Sequence, residues 1–254
     1  MKNFNPTEVI EKNVEYLRNF FDGFSKDSVA VIGISGGKDS SIAAAILTKA
    51  LGKDRVLGVM MPNGQQADIK DSIRVCEFLG IRNTTVNIEK MFEAAKATFE
   101  ADENVKMTPQ LLTNLAPRLR MTTLYAVAQG QQVPAFVVNT CNRSEDYVGY
   151  STKYGDAAGD IAVLQDLLVC EVKELGDALG VPHELVHKAP SDGLCGKTDE
   201  DNLGFTYAQL DSYIKWIDEG KNGQCPIEDT LVETIERKHV ANLHKLKTIP
   251  SFAR

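Results

Sequence analysis

Apolar and polar positions follow two different rhythms along this chain. From Pro6 to Phe24, Val9, Ile10, Val14, Leu17, Phe20 and Phe21 recur at three- and four-residue steps with charged residues between them, which predicts an amphipathic helix with Pro6 in its first turn. Val29 to Ile34 is an unbroken apolar run that predicts a buried strand, and Ser40 to Leu51 predicts a helix. The alternation then repeats. Arg55 to Met61 reads as a strand, Asp68 to Leu79 as a helix, Thr84 to Ile88 as a short strand and Glu89 to Glu100 as a helix. Leu111 to Gln129 is helical in pattern, with Pro117 expected to start, kink or interrupt it, and Ala135 to Thr140 predicts a fourth strand. Strands separated by helices of about a dozen residues imply βαβ units, a parallel sheet and right-handed crossovers. The fold class expected is therefore α/β, an open parallel sheet with helices on both faces and additional N- and C-terminal helices.

The rhythm is lost after Thr140. From Cys141 to Gly159 the chain is polar, rich in Asn, Asp, Tyr and Gly, with no clean period, and a loop of that length in a compact chain points to function. Helices resume in the pattern at Val169 to Leu179, Pro182 to His187, Thr206 to Glu219 and Ile227 to Leu246. The intervening DGLCGKTDEDNLG reads as a mobile loop. No internal repeat or low-complexity linker divides the 254 residues, so one domain, 1–254, is expected.

Charge and cysteine usage narrow the classes. Twenty-eight Lys and Arg against 35 Asp and Glu leave a formal net charge of −7, which argues against sequence-independent nucleic-acid binding. The five cysteines are far apart and form no CxxC pair, the pattern of reduced thiols in a cytosolic protein. The mixed N-terminal segment reads as neither a signal peptide nor a membrane span, so a cytoplasmic protein is expected. His183, His187 and His239 have no metal-ligand spacing and read as surface residues, Trp216 as helix packing and Cys141 as a packed thiol.

The candidate chemistry begins where the first strand meets the next helix, at Ile32 to Ser40, IGISGGKDS. A strand-to-helix turn through Ser35, Gly36 and Gly37 exposes backbone N–H groups at a helix N-terminus, where the helix dipole favours anions. The Walker pattern fails, with Ile32 in place of its first Gly and Asp39 in place of its Ser or Thr, and the Rossmann glycine spacing fails too. SGGxDS remains, and it resembles the pyrophosphate-binding loop of the ATP pyrophosphatase superfamily. If the first and fourth strands are parallel neighbours, Glu145 is delivered to the same sheet edge as Asp39, and two carboxylates suit Mg²⁺ shared with substrate phosphates.

NRSEDYVGYSTKYGDAAGDI, together with MPNGQQAD, APRLRM, KAPSDGL and HKLKTIP in the same order, is similar to the ammonia-dependent NAD synthetases. The resemblance implies an adenine nucleotide alpha hydrolase-like, Rossmann-like fold. It also implies a ligase that forms NAD from deamido-NAD, ATP and ammonia through an adenylated carboxylate, with Mg²⁺ as cofactor. Carried over residue by residue, it implies ATP contacts at Gly33, Ser35, Gly36, Gly37, Asp39, Ser40, Gln66, Thr140 and Ser191, and metal ligands at Asp39 and Glu145. Deamido-NAD contacts fall on Arg118, in preference to Arg120, and on Lys153, Asp160, His244 and Lys245. Charge developing at the α-phosphate would be met by Lys38 and Lys153, with Asp39 the third catalytic residue. A phosphate-contacting Lys of relatives is Val169 here, for which Lys197 is a candidate substitute. A homodimer is implied as well. Two other readings stay open: another ATP pyrophosphatase, amidotransferase or tRNA-modifying, and a non-catalytic nucleotide-binding homologue.

Overall fold

The computed structural model describes residues 4–65, 69–188 and 198–252. Five parallel strands form one sheet: β1 (Val29–Gly33), β2 (Val56–Met60), β3 (Arg82–Thr85), β4 (Ala135–Asn139) and β5 (Ile161–Ala162), in the order β3-β2-β1-β4-β5. The order reverses beside β1. The ends of β1 and β4 are therefore adjacent, with Ile32 opposite Val138, and open a crevice at the switch point.

Side chains of β1 alternate between two cores. Ala30 and Ile32 join one face, Val29 and Val31 the other, and Val56/Met60 and Leu57/Val59 of β2 divide the same way. The first face is covered by α2 (Lys38–Leu51), with α1 (Pro6–Phe24) and α7 (Val169–Ala178) packed on it. Because α2 is enclosed between sheet and helices, its sequence is apolar nearly all round, and Ile42, Ile46 and Leu47 are fully buried. α1 places Ile10, Val14, Leu17 and Phe21 inward, as its period predicts, and Asn5 caps it by accepting the Glu8 N–H.

The opposite face is covered by α5 (Pro109–Gln129), which follows α3 (Ile69–Leu79) and α4 (Glu89–Glu100). α5 runs on through Pro117 rather than starting or stopping there, and it begins earlier than the apolar pattern, at Pro109 behind the Thr108 cap. A proline costs one helical hydrogen bond, which a 21-residue helix packed along the sheet tolerates.

Two more boundaries differ from the pattern. β3 lies at Arg82–Thr85 and not at Thr84 to Ile88, because an edge strand is mostly exposed and needs no apolar run. The apolar residues beyond it, Val86 and Ile88, still donate N–H groups to Met60 O and Pro62 O. The long polar stretch after β4 contains a helix, α6 (Arg143–Val148), only six residues long and so invisible to a periodicity of 3.6. It is followed by the two-residue β5. A second core joins α6 to α10 (Tyr207–Asp218) and α11 (Asp229–Leu246) around Val148, Leu210, Tyr213 and Ile235. Between α7 and α10 lie the short α8 (His183–Val186) and α9 (Asp199–Leu203), the latter inside the stretch expected to be all loop and capped by Thr198.

Among the described residues, no helix is long and apolar enough to cross a membrane.

Candidate functional site

The turn from β1 to α2 is built by its own serines. Ser40, almost fully buried, accepts the Ser35 N–H and donates to Gly37 O, while Ser35 Oγ accepts the Gly37 N–H at 3.2 Å. Gly36 turns the chain with φ 76°, a left-handed conformation that favours glycine. A cavity of about 670 Å³ opens beside this turn, within the size range of small-molecule sites. Gly33, Ser35, Gly37, Lys38, Asp39, Ser40, Thr140, Glu145 and Lys245 line it, so the structure brings together most of the residues singled out from the sequence.

Asp39 stands in the first turn of α2, and Glu145 in the first turn of α6. Asn142 joins them: its Nδ2 donates to Asp39 Oδ1 at 3.0 Å, and its Oδ1 accepts the Glu145 N–H at 3.0 Å. The N-x-x-E capping box at Asn142 and Glu145 is the sequence signal that the reading of a structureless loop passed over. Lys38 turns inward, only 5% exposed, bonded to Asp39 Oδ2 at 2.7 Å and lying over the Tyr207 ring. Burial opposes its charge, but the Asp39 and Glu145 carboxylates outweigh that and hold Lys38 firmly protonated. Glu145 opens on the cavity yet lies deep in the protein. Burial first, and repulsion from Asp39 second, push its carboxyl well above the usual range, against the pull of Lys38. The Tyr207 hydroxyl, buried and raised by burial and then by Glu145 and Asp199, faces the same acidic cluster.

The residues expected to meet the second substrate divide into two groups. Lys245 lines the cavity, its Nζ donating to Gly149 O and Ser151 O, and burial lowers its pKa. Arg118, Lys153 and His244 lie outside the lining but touch one another: Arg118 Nε donates to Lys153 O at 3.4 Å and Lys153 Nζ to His244 O at 2.8 Å. Arg120, set aside from the sequence, is the arginine of that pair in the cavity wall, donating to Met61 O. Asp160 braces β4, accepting the Val137 N–H at 2.8 Å and the Tyr125 hydroxyl at 3.2 Å. Gln66, Ser191 and Lys197 lie outside the described residues.

Several cavity residues were given no role from the sequence. Lys188 lines the wall and pairs with Asp71 at 2.5 Å, and Asn114, Asp199 and Asn202 arrive from α5 and α9. Val169 is buried in the second core, its N–H donating to Ser144 Oγ. The Cys141 thiol is packed and donates to Asp156 O, and Trp216 stacks on Tyr213. His239 is more than a surface residue, since it stacks on Tyr147 and its Nδ1 hydrogen-bonds Tyr147 O at 2.7 Å.

The model of the NAD synthase family matches residues 9–249. The chain belongs to the NAD synthase family. An NH(3)-dependent NAD(+) synthetase of Pyrococcus furiosus is 37% identical over 252 residues, which cover 96% of this chain and 94% of that one. Among solved structures, an NMN synthetase from Francisella tularensis superposes with a TM-score of 0.86 at 34% identity, covering 98% of this chain and 99% of that one. The NH3-dependent NAD synthetase of Campylobacter jejuni, at 24% identity and a TM-score of 0.81 over 98% of this chain and 100% of the other, shares the fold. The cavity lies at the carboxyl ends of β1 and β4, where ligands of open parallel sheets bind.

Proposed function

We infer that this chain is a carbon–nitrogen ligase that makes NAD from deamido-NAD, ATP and ammonia, releasing AMP and pyrophosphate. Family membership over nearly the whole length supports the reaction. The observation that carries the reading of the site is the Asp39–Asn142–Glu145 linkage across the β1/β4 crevice, beside the glycine turn.

In this reading Gly33, the SGGKDS turn (Ser35, Gly36, Gly37, Ser40) and Thr140 receive ATP, while Arg118, Lys153, Asp160, His244 and Lys245 receive deamido-NAD. Asp39 and Glu145 would hold Mg²⁺. The donor set fits: two carboxylates with Asp199 near them outnumber Lys38, and an excess of buried negative charge is what a divalent cation relieves. When bound, the cation supplies electrostatic stabilisation of the ATP phosphates. The pyridine carboxylate oxygen attacks the α-phosphorus as the bond to pyrophosphate breaks. Ammonia then attacks the acyl carbon, AMP leaves with the bonding pair, and a proton is lost from nitrogen. No enzyme nucleophile is needed, so the protein's task is to align the carboxylate with the α-phosphate and to meet the developing charge. Lys38, bound into the carboxylates, acts in this scheme as their counter-ion. Lys153, bonded to His244 O outside the cavity lining, would have to turn inward to meet the phosphate.

The same chemistry on a mononucleotide is the second reading, and the Francisella neighbour is the observation that favours it. Purified enzyme is given ATP, Mg²⁺ and ammonium with either deamido-NAD or nicotinate mononucleotide, and amide, AMP and pyrophosphate are quantified. The first reading requires a higher kcat/KM for deamido-NAD. The reverse preference transfers the assignment to the mononucleotide, and release of ADP overturns both. A single catalytic domain, a homodimer and a cytoplasmic location belong to the same proposal, and exposed Met91 and Phe99 on α4 offer apolar surface for the dimer.

A further inference from the structure

Asn142 does more than cap a helix. It is fully buried, and capping α6 uses only its Oδ1, which accepts the Glu145 N–H, and its backbone N–H, which reaches Glu145 Oε2 at 3.4 Å. Asp and Ser cap helices as well as Asn does. The Nδ2 group is therefore surplus to the cap, and it is this group that crosses 103 residues of sequence to Asp39 Oδ1. An aspartate at 142 would oppose Asp39 with like charge, and a serine is too short to make the crossing. Asp39 thus has one oxygen held by a neutral donor and the other, Oδ2, held by the Lys38 ammonium.

We propose that Asn142 is the positioning residue of the metal-bearing ATP site: it ties Asp39 and Glu145 into one fixed pair and fixes the orientation of the Asp39 carboxylate through Oδ1. The choice of amide follows from charge. A carboxylate must be held still to ligate well, but holding it with a cation would cancel the field that attracts the metal. An amide orients Asp39 and leaves its charge intact. Lys38, buried at the remaining oxygen, offsets part of that charge and leaves the cluster acidic overall. Outer partners that orient ligating carboxylates in this way typically contribute about 10–100-fold to metal affinity.

This inference rests on the metal site proposed above, and its test separates the two. Asn142→Ser keeps a capping oxygen and removes Nδ2, whereas Asn142→Ala removes both. Mn²⁺ binding in the presence of ATP is followed by electron paramagnetic resonance, alongside the Mg²⁺ dependence of turnover and the melting temperature. Positioning predicts that both variants weaken Mn²⁺ binding about 10–100-fold. It also predicts that both raise the KM for Mg²⁺ more than they lower kcat, although Asn142→Ala, which loses the cap as well, melts earlier than Asn142→Ser. A role confined to capping predicts the other pattern, with Asn142→Ser binding Mn²⁺ as the unaltered protein does, and that result overturns the proposal. If the unaltered protein binds no Mn²⁺ with ATP, the metal site itself is wrong and this inference falls with it.

Discussion

Gly36 and Gly37 are adjacent in the same turn, yet the structure predicts opposite outcomes for replacing them with alanine. At Gly36 the backbone has φ 76°, and a Cβ there would lie 2.7 Å from Asp71 Cβ and 2.8 Å from the Ser72 backbone nitrogen. Neither neighbour is the free end of a flexible side chain, because both belong to the first turn of α3. The left-handed backbone costs an L-residue about 1–2 kcal/mol. Overpacking against fixed atoms adds about 1–3 kcal/mol. Gly36→Ala should therefore lose about 2–5 kcal/mol, a fall in melting temperature of roughly 5–15 °C for a chain of this size. At Gly37 the φ is −84° and a Cβ would meet only Ser35 Oγ, at 3.3 Å, a side-chain atom that need give by only a few tenths of an ångström. Gly37→Ala should lose less than about 1 kcal/mol. Urea denaturation followed by circular dichroism measures both, and calorimetric titration with ATP reports whether the displaced turn still binds phosphate. Equal losses in the two variants, or a Gly36→Ala protein as stable as its parent, would refute the reasoning.

Two further outcomes follow from buried polar groups. Asp211 in α10 accepts the Ser144 hydroxyl at 2.5 Å and the Cys170 N–H at 2.8 Å, tying α6, α7 and α10 together. Asp211→Ala strands both donors, and the loss in urea denaturation should be about 3–5 kcal/mol, given about 1–3 kcal/mol for each unsatisfied group and its bond to a charge; a loss under about 1 kcal/mol would contradict it. Burial, and then Glu77, push the Cys76 thiol up to about 11, and burial, followed by Glu145, raises Cys141 well above the ordinary thiol value. Alkylation needs the thiolate, so at pH 8 iodoacetamide should leave both unlabelled in the folded protein and label both in urea, as mass spectrometry of the peptides would read. Fast labelling of Cys141 in the folded state would show that its site is open.

What the sequence determined by itself was whatever is local or periodic. A helix such as α1 shows its inward residues at every third or fourth position, and β1, β2 and β4, buried on both faces, show as continuous apolar runs. The SGGKDS turn was legible for the same reason, since its phosphate-cradling potential lies in consecutive residues between a strand and a helix. β3 was misplaced because an exposed edge has little apolar signal, and α6 was missed because six residues hold less than two turns. Only the tertiary structure decided which side chains share the site. That Asn142 reaches Asp39, that Lys38 turns inward to the carboxylates, and that Arg120 and not Arg118 lines the cavity depend on the β1/β4 register and on the rotation of α2, α5 and α6 about their axes. Those relations are fixed by packing between segments a hundred residues apart, and no local pattern encodes them.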